Sequence, residues 1–292
     1  MARSMLMSLP PMTIQTAPIG ILDSGFGGLS VALAVRRALP FESIVFAADC
    51  GFAPWGDKSA GFIDERVHAV VDFLLSRSIK ALVLACNTAT AVSIDKLRTE
   101  LNIPIVGIEP AVFPGVRETS SGVIGVLATV RTIASERYRT LKAHALEWAS
   151  QNRSIPIEIH DQPCPGLMEC VEKGAFHSPE TFELIERFVA PLLEKGADRL
   201  VLGCTHYPFL ADAFAETIER LAPGASVKLI DPAPAVAKQL SRTLAETGRA
   251  APAGESGRSE RFFATGADAL REGVLQALWS QNVRLEKLST VR

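Results

Sequence analysis

The chain has no run of Lys or Arg longer than two, and its 30 basic residues face 32 acidic ones for a formal net charge of −2. Neutralising phosphates needs clustered cations, so nucleic acid is excluded as a partner on this reading. Nor is an export signal or a membrane anchor expected from the first residues given. The apolar patch Met5 to Leu9 is interrupted by Pro10-Pro11, too short for a signal-peptide core or a bilayer span. Residues 1–17 therefore read as a mobile lead, and the expected protein is cytoplasmic and does not bind membranes. Finally there is no Cys-x-x-Cys pair. The cysteines number five (Cys50, Cys86, Cys164, Cys170 and Cys204), and only His206 stands at ligand spacing from one of them. An odd count without paired spacing argues against a disulfide framework and against a zinc site, so no metal is expected.

What is present is an ordinary globular composition, 48% hydrophobic and 21% charged over 292 residues, enough for one large or two medium domains. Two distant stretches say nearly the same thing. Lys80-Ala-Leu-Val-Leu-Ala-Cys86-Asn87-Thr88 and Asp198-Arg-Leu-Val-Leu-Gly-Cys204-Thr205-His206 each run a branched apolar segment into a cysteine followed by small polar residues. Continuous apolar runs bounded in this way fit buried parallel strands, with each cysteine at a carboxyl end, the edge at which open α/β sheets bind ligands.

Strands are expected at 19–22, 43–48, 81–85, 105–108, 123–127, 155–159, 200–202, 227–230 and 262–264, with helical periods between most of them. Ile63, Val67, Val70, Val71 and Leu74 mark one face of such a helix. A second helix, around Leu184 to Val189, is expected to kink or stop at Pro191. Alternating strands and helices predict an α/β fold with mainly parallel sheets, which the two cysteine segments divide into two sub-domains. The first would comprise residues 18–115 and 226–292, the second 116–225. The Gly/Ser/Pro-rich stretch 249–260 reads as an exposed loop.

Three constellations carry chemistry. In Asp23-Ser24-Gly25-Phe26-Gly27-Gly28-Leu29-Ser30 the glycines let backbone turn tightly against a ligand. A dinucleotide loop would need a further glycine where Ser30 stands, and Asp23 would repel a pyrophosphate, which leaves a substrate-binding or capping turn. Cys86 and Cys204 form the second. Each lies near an expected helix amino terminus, where the partial positive charge should favour thiolate. Third, His206 follows Cys204 by two residues and Asp23 ends a first-unit strand, so either can take or hold a thiol proton. The turn Pro54-Trp55-Gly56-Asp57-Lys58-Ser59 could present backbone to the same cleft.

These blocks, with Gly203-Cys204-Thr205-His206-Tyr207-Pro208, resemble the signature blocks of the glutamate racemases, within the cofactor-independent aspartate/glutamate racemase family. The resemblance implies two similar α/β domains with mainly parallel sheets facing each other across a cleft, and interconversion of L- and D-glutamate for peptidoglycan synthesis, with neither cofactor nor metal, by a homodimer. It implies Cys86 and Cys204 as the two acid/base residues, with Asp23, His206 and Glu172 assisting. Asp23, Ser24, Trp55, Gly56, Asn87, Thr88, Thr129, Thr132, Thr205 and His206 would hold the substrate. Two positions depart from the family pattern: Trp55 replaces a usual tyrosine, and Arg131 a common glycine. Rival readings are a racemase of a related acidic amino acid such as aspartate, a cysteine nucleophile built from Cys204 and His206, and a non-catalytic amino-acid sensor.

Overall fold

A computed structural model describes residues 13–254 and 258–289. The strands among these are, in chain order, β1 (Ile19–Asp23), β2 (Ile44–Ala48), β3 (Ala81–Leu84), β4 (Ile105–Gly107), β5 (Val123–Ala128), β6 (Glu158–Pro163), β7 (Arg199–Gly203), β8 (Lys228–Ile230), β9 (Glu260–Ala264) and β10 (Leu285–Lys287). They form two wholly parallel sheets, β10-β9-β2-β1-β3-β4 and β6-β5-β7-β8. The four-strand order β2-β1-β3-β4 of the first is repeated as β6-β5-β7-β8 in the second. In each, the sheet turns back on itself between its two central strands, and the crevice at such a switch point is where ligands bind. Cys86 follows β3 and Cys204 follows β7, so the repeated sequence is also a repeated position.

The helices are α1 (Leu29–Ala38), α2 (Ala60–Leu75), α3 (Asn87–Glu100), α4 (Val112–Glu118), α5 (Val130–Ala134), α6 (Glu136–Asn152), α7 (Leu167–Glu172), α8 (Pro179–Glu194), α9 (Ala211–Leu221), α10 (Ala233–Glu246) and α11 (Ala269–Leu278). They cover both faces of both sheets, as parallel strands require. On one face of the first sheet Val31, Val35, Val236, Leu240 and Val274 pack from α1, α10 and α11. On the other, the predicted stripe Ile63, Val67, Val70, Val71 and Leu74 of α2 is buried together with Ile94 and Leu97 of α3. The second sheet is covered by α7, α8 and α9 through Leu167, Ile185, Phe188 and Phe214, and by α4 and α6 through Val112, Val116 and Tyr138. No helix among the described residues is long and apolar enough to cross a membrane.

Several sequence expectations are corrected. β8, placed with the first unit by sequence, pairs with β7 in the second sheet, and the return to the first is made afterwards by α10, which packs on α1. β6 runs 158–163, not 155–159; as an edge strand bonded only to β5 it tolerates the polar run Glu158, His160, Asp161 and Gln162, which masks it from a hydrophobicity reading. β10 is another short, charged edge strand that was not anticipated. α8 continues past Pro191 to Glu194, and that proline lies on its exposed side, so the lost ladder bond falls toward solvent and not into the core. Of the expected mobile lead, residues 1–12 lie outside the described residues. Residues 13–17 instead make a hydrogen-bonded turn, held by Lys80 Nζ donating to Gln15 O at 2.5 Å.

Candidate active site

Cys86 caps α3: its Sγ accepts from the Ala89 N–H at 3.5 Å and lies 3.6 Å from Ser24 Oγ. The expected lowering of its pKa by the helix terminus does not occur. Burial first, then the neighbouring Asp23 charge, push the Cys86 thiol well above its ordinary range. A helix terminus contributes about 0.3–1 kcal/mol, whereas full burial moves a pKa by as much as 3–5 units at about 1.4 kcal/mol each, so desolvation wins. Cys204 has different company. No α-helix starts beside it, since a short 3₁₀ turn (Tyr207–Leu210) separates it from α9. Its Sγ lies 3.5 Å from His206 Nδ1, and His206 Nε2 lies 2.7 Å from Glu172 Oε1. Burial works against an imidazolium here, but Cys204 and Glu172 outweigh it and raise the His206 pKa well above its ordinary value.

The glycine-rich turn makes this arrangement possible. A Cβ on Gly27 would lie 2.3 Å from His206 Nδ1, and one on Gly25 would lie 2.3 Å from Glu172 Oε1. Phe26 N–H donates to Glu172 Oε1 at 2.6 Å. The turn therefore closes tightly on a partner, as its glycines suggest, but that partner is a carboxylate of the protein itself, brought from the second sheet's unit. Asp23 lies fully buried beneath it. Its carboxylate accepts from Ser24 N–H at 2.8 Å, from Gly28 N–H, and from Thr205 Oγ1 at 3.2 Å. Burial raises the Asp23 pKa, while His206 and the backbone donors oppose the rise. Ser30 Oγ ties Gly27 O to Thr205 O, both at 2.9 Å.

Both thiols, each 6% exposed, line one cavity of about 180 Å³ between the two sheets' carboxyl edges. Of the residues predicted to hold a ligand, Ser24, Trp55, Gly56, Asn87, Thr88, Thr129, Thr205 and His206 are also on its wall. Asp23 and Glu172, the latter expected only to assist a thiol, are not, and neither is Thr132. The first two hold wall residues from behind, and Thr132 Oγ1 lies 3.0 Å from Thr129 Oγ1. Both amide atoms of Asn87 and the indole Nε1 of Trp55 are buried without a protein partner. Buried polar groups are rarely left unpaired, so these three atoms mark hydrogen-bonding capacity for a polar ligand.

The sequence missed the wall contributed by the β6–α7 connection and the first turn of α7, namely Cys164, Pro165, Gly166, Met168 and Glu169. Cys164 follows β6 as Cys86 follows β3, so the strand-end rule would have found it had β6 been placed correctly. All five cysteines are free.

Comparison with known proteins gives the family. Residues 56–240 match the family model for the Asp/Glu/Hydantoin racemases. The chain is 42% identical over 278 residues to a glutamate racemase of Pseudomonas paraeruginosa, covering 95% of this chain and 99% of that one. It superposes on the crystal structure of glutamate racemase isoform RacE1 from Bacillus anthracis with a TM-score of 0.79 at 32% identity, over 94% and 98% of the two chains. For the Escherichia coli glutamate racemase, solved with L-glutamate and the activator UDP-MurNAc-ala, the TM-score is 0.78 at 31% identity, over 94% and 99%. The chain belongs to the Asp/Glu/hydantoin racemase family and is an amino-acid racemase, an isomerase. Within that family its similarity is to the glutamate racemases.

Proposed function

We propose that this protein interconverts L- and D-glutamate by a two-base proton transfer at Cα, without a cofactor, and so supplies D-glutamate for peptidoglycan synthesis in the cytoplasm. The observation that carries the reading is that Cys86 and Cys204, from equivalent positions of two units with the same strand order, line a single cavity. The units, residues 18–115 with the chain after β8 and residues 116–230, act as two domains closing on the ligand.

Cys204 is the base for the L isomer. His206, held cationic by Cys204 and Glu172, stabilises its thiolate. Cys86, kept as a thiol by burial, then delivers a proton to the opposite face. In the reverse direction Cys86 must first lose its proton, and Ser24 Oγ stands 3.6 Å from its sulfur and 3.5 Å from Asp23 Oδ1 to assist. The substrate's α-hydrogen is a very weak acid, so the developing carbanion needs fixed donors in a site that excludes water; Asn87, Thr88, Ser24 and Thr205 supply them. The test is turnover in deuterium oxide with chiral separation, using glutamate and then aspartate. Deuterium should enter at Cα of the product enantiomer of glutamate. Interconversion with no exchange at that carbon refutes the mechanism, and faster turnover of aspartate refutes the substrate.

A further inference from the structure

Beside the mouth of the cavity a side chain that the reaction does not use bridges two segments of its wall. Among the wall residues Val130 and Asp57 are exposed, at 53% and, for the Asp57 side chain, 69%, so the cavity meets solvent between the Pro54–Ser59 loop and α5. These two segments come from different sheets. Arg131 joins them twice: its backbone N–H donates to Gly56 O at 3.2 Å, and its guanidinium Nη2 donates to Lys58 O at 2.5 Å. Charged contacts across the two units recur further off, where Arg137 of α6 pairs with Asp95 of α3 and with Glu109, but beside the loop the other close approaches are neutral. Thr88 Oγ1 lies 3.2 Å from Thr129 Oγ1, and a Cβ on Gly56 would lie 3.2 Å from Thr129 Cβ. Among these contacts, the Arg131 guanidinium is therefore the charged donor between α5 and the Pro54–Ser59 loop. Charge-assisted bonds are roughly twice as strong as neutral ones, and an arginine stays charged at any working pH.

We propose that Arg131 is a latch, a positioning residue that holds the Pro54–Ser59 loop, and with it the wall residues Trp55 and Gly56, against α5. The cavity opens to a ligand when the Arg131–Lys58 bond breaks. The inference concerns the cavity assigned above to glutamate, but its test does not depend on which substrate is turned over.

The test is labelling of the ligand-free full chain with a bulky maleimide, read cysteine by cysteine by peptide mass spectrometry in wild type, R131A and R131K. Cys86 and Cys204 line the cavity, whereas Cys170 is buried away from it and reports unfolding. In R131A the cavity thiols should label roughly tenfold faster, the equivalent of one charge-assisted hydrogen bond, with Cys170 unchanged. R131K, which keeps a cationic donor, should return most of the way to wild type. Unchanged labelling of Cys86 and Cys204 in R131A overturns the latch. So does a parallel rise at Cys170, which would make the arginine a general structural support.

Discussion

Replacing Gly27 by alanine tests whether the glycine-rich turn exists to let an imidazole in. The added methyl would sit 2.3 Å from His206 Nδ1, 2.6 Å from its Cε1 and 2.6 Å from Thr205 Oγ1. Comfortable contact is about 3.5 Å or more, so the ring must retreat by about 1 Å. His206 is 2% exposed and pinned between Cys204 and Glu172, so the retreat breaks at least one of those contacts. A misplacement of this size at a reacting group costs on the order of 100-fold in rate. Overpacking adds about 1–3 kcal/mol of instability, roughly 2–10 °C in Tm for a chain of this size. The assay is circular dichroism at a wavelength reporting optical activity, started from each pure enantiomer, with a thermal melt alongside. A folded Gly27→Ala protein within a few-fold of wild-type kcat/KM would refute the reasoning, because the imidazole would then be dispensable where it stands. Gly25→Ala meets the far end of the Glu172 side chain instead and should be milder.

Four further outcomes are expected. Cys86→Ala should abolish racemisation in both directions while leaving Cys204 labelled by a substrate-sized alkylating agent; retained activity would mean a single-thiol mechanism. His206 binds its proton more tightly folded than unfolded, so its contribution to stability is fully present below its ordinary pKa of 6.5 and is lost as pH rises through the higher folded value; urea melts of wild type and His206→Gln should converge as pH increases. Arg66 donates to both oxygens of the buried Asp49, at 2.8 and 2.9 Å, beneath the segment leading to Trp55. Arg66→Met leaves that carboxylate uncompensated and should cost about 3–5 kcal/mol by denaturant titration. Gly273 is exposed within α11 with nothing within 4 Å of an added Cβ, so Gly273→Ala should stabilise by about 0.4–1 kcal/mol with activity unchanged.

The central strands were legible because parallel strands buried on both faces leave an uninterrupted apolar signature, which fixed the place of Cys86 and Cys204. Edge strands have no such signature. β6 was misplaced and β10 passed over, and with β6 went Cys164 and the wall beside it. The glycines of the first turn were correctly read as allowing close approach, but what approaches is decided by His206 and Glu172, far along the chain and invisible to local pattern. The sign of the Cys86 pKa shift was lost for a related reason. A helix terminus can be read from sequence, whereas the depth of burial that overrides it depends on how the two sheets' units meet.

The two sulfurs have unlike companions: a hydroxyl and a carboxyl beside Cys86, an imidazole and a carboxylate beside Cys204. Mirror-image solutes have the same chemical potential in water, so the equilibrium constant is unity and kcat/KM must be identical in both directions. Unequal halves can therefore never favour one antipode at equilibrium. Their inequality surfaces only as a faster kcat in one direction matched by a proportionally larger KM, a ratio that depends on pH because imidazole and carboxyl titrate differently.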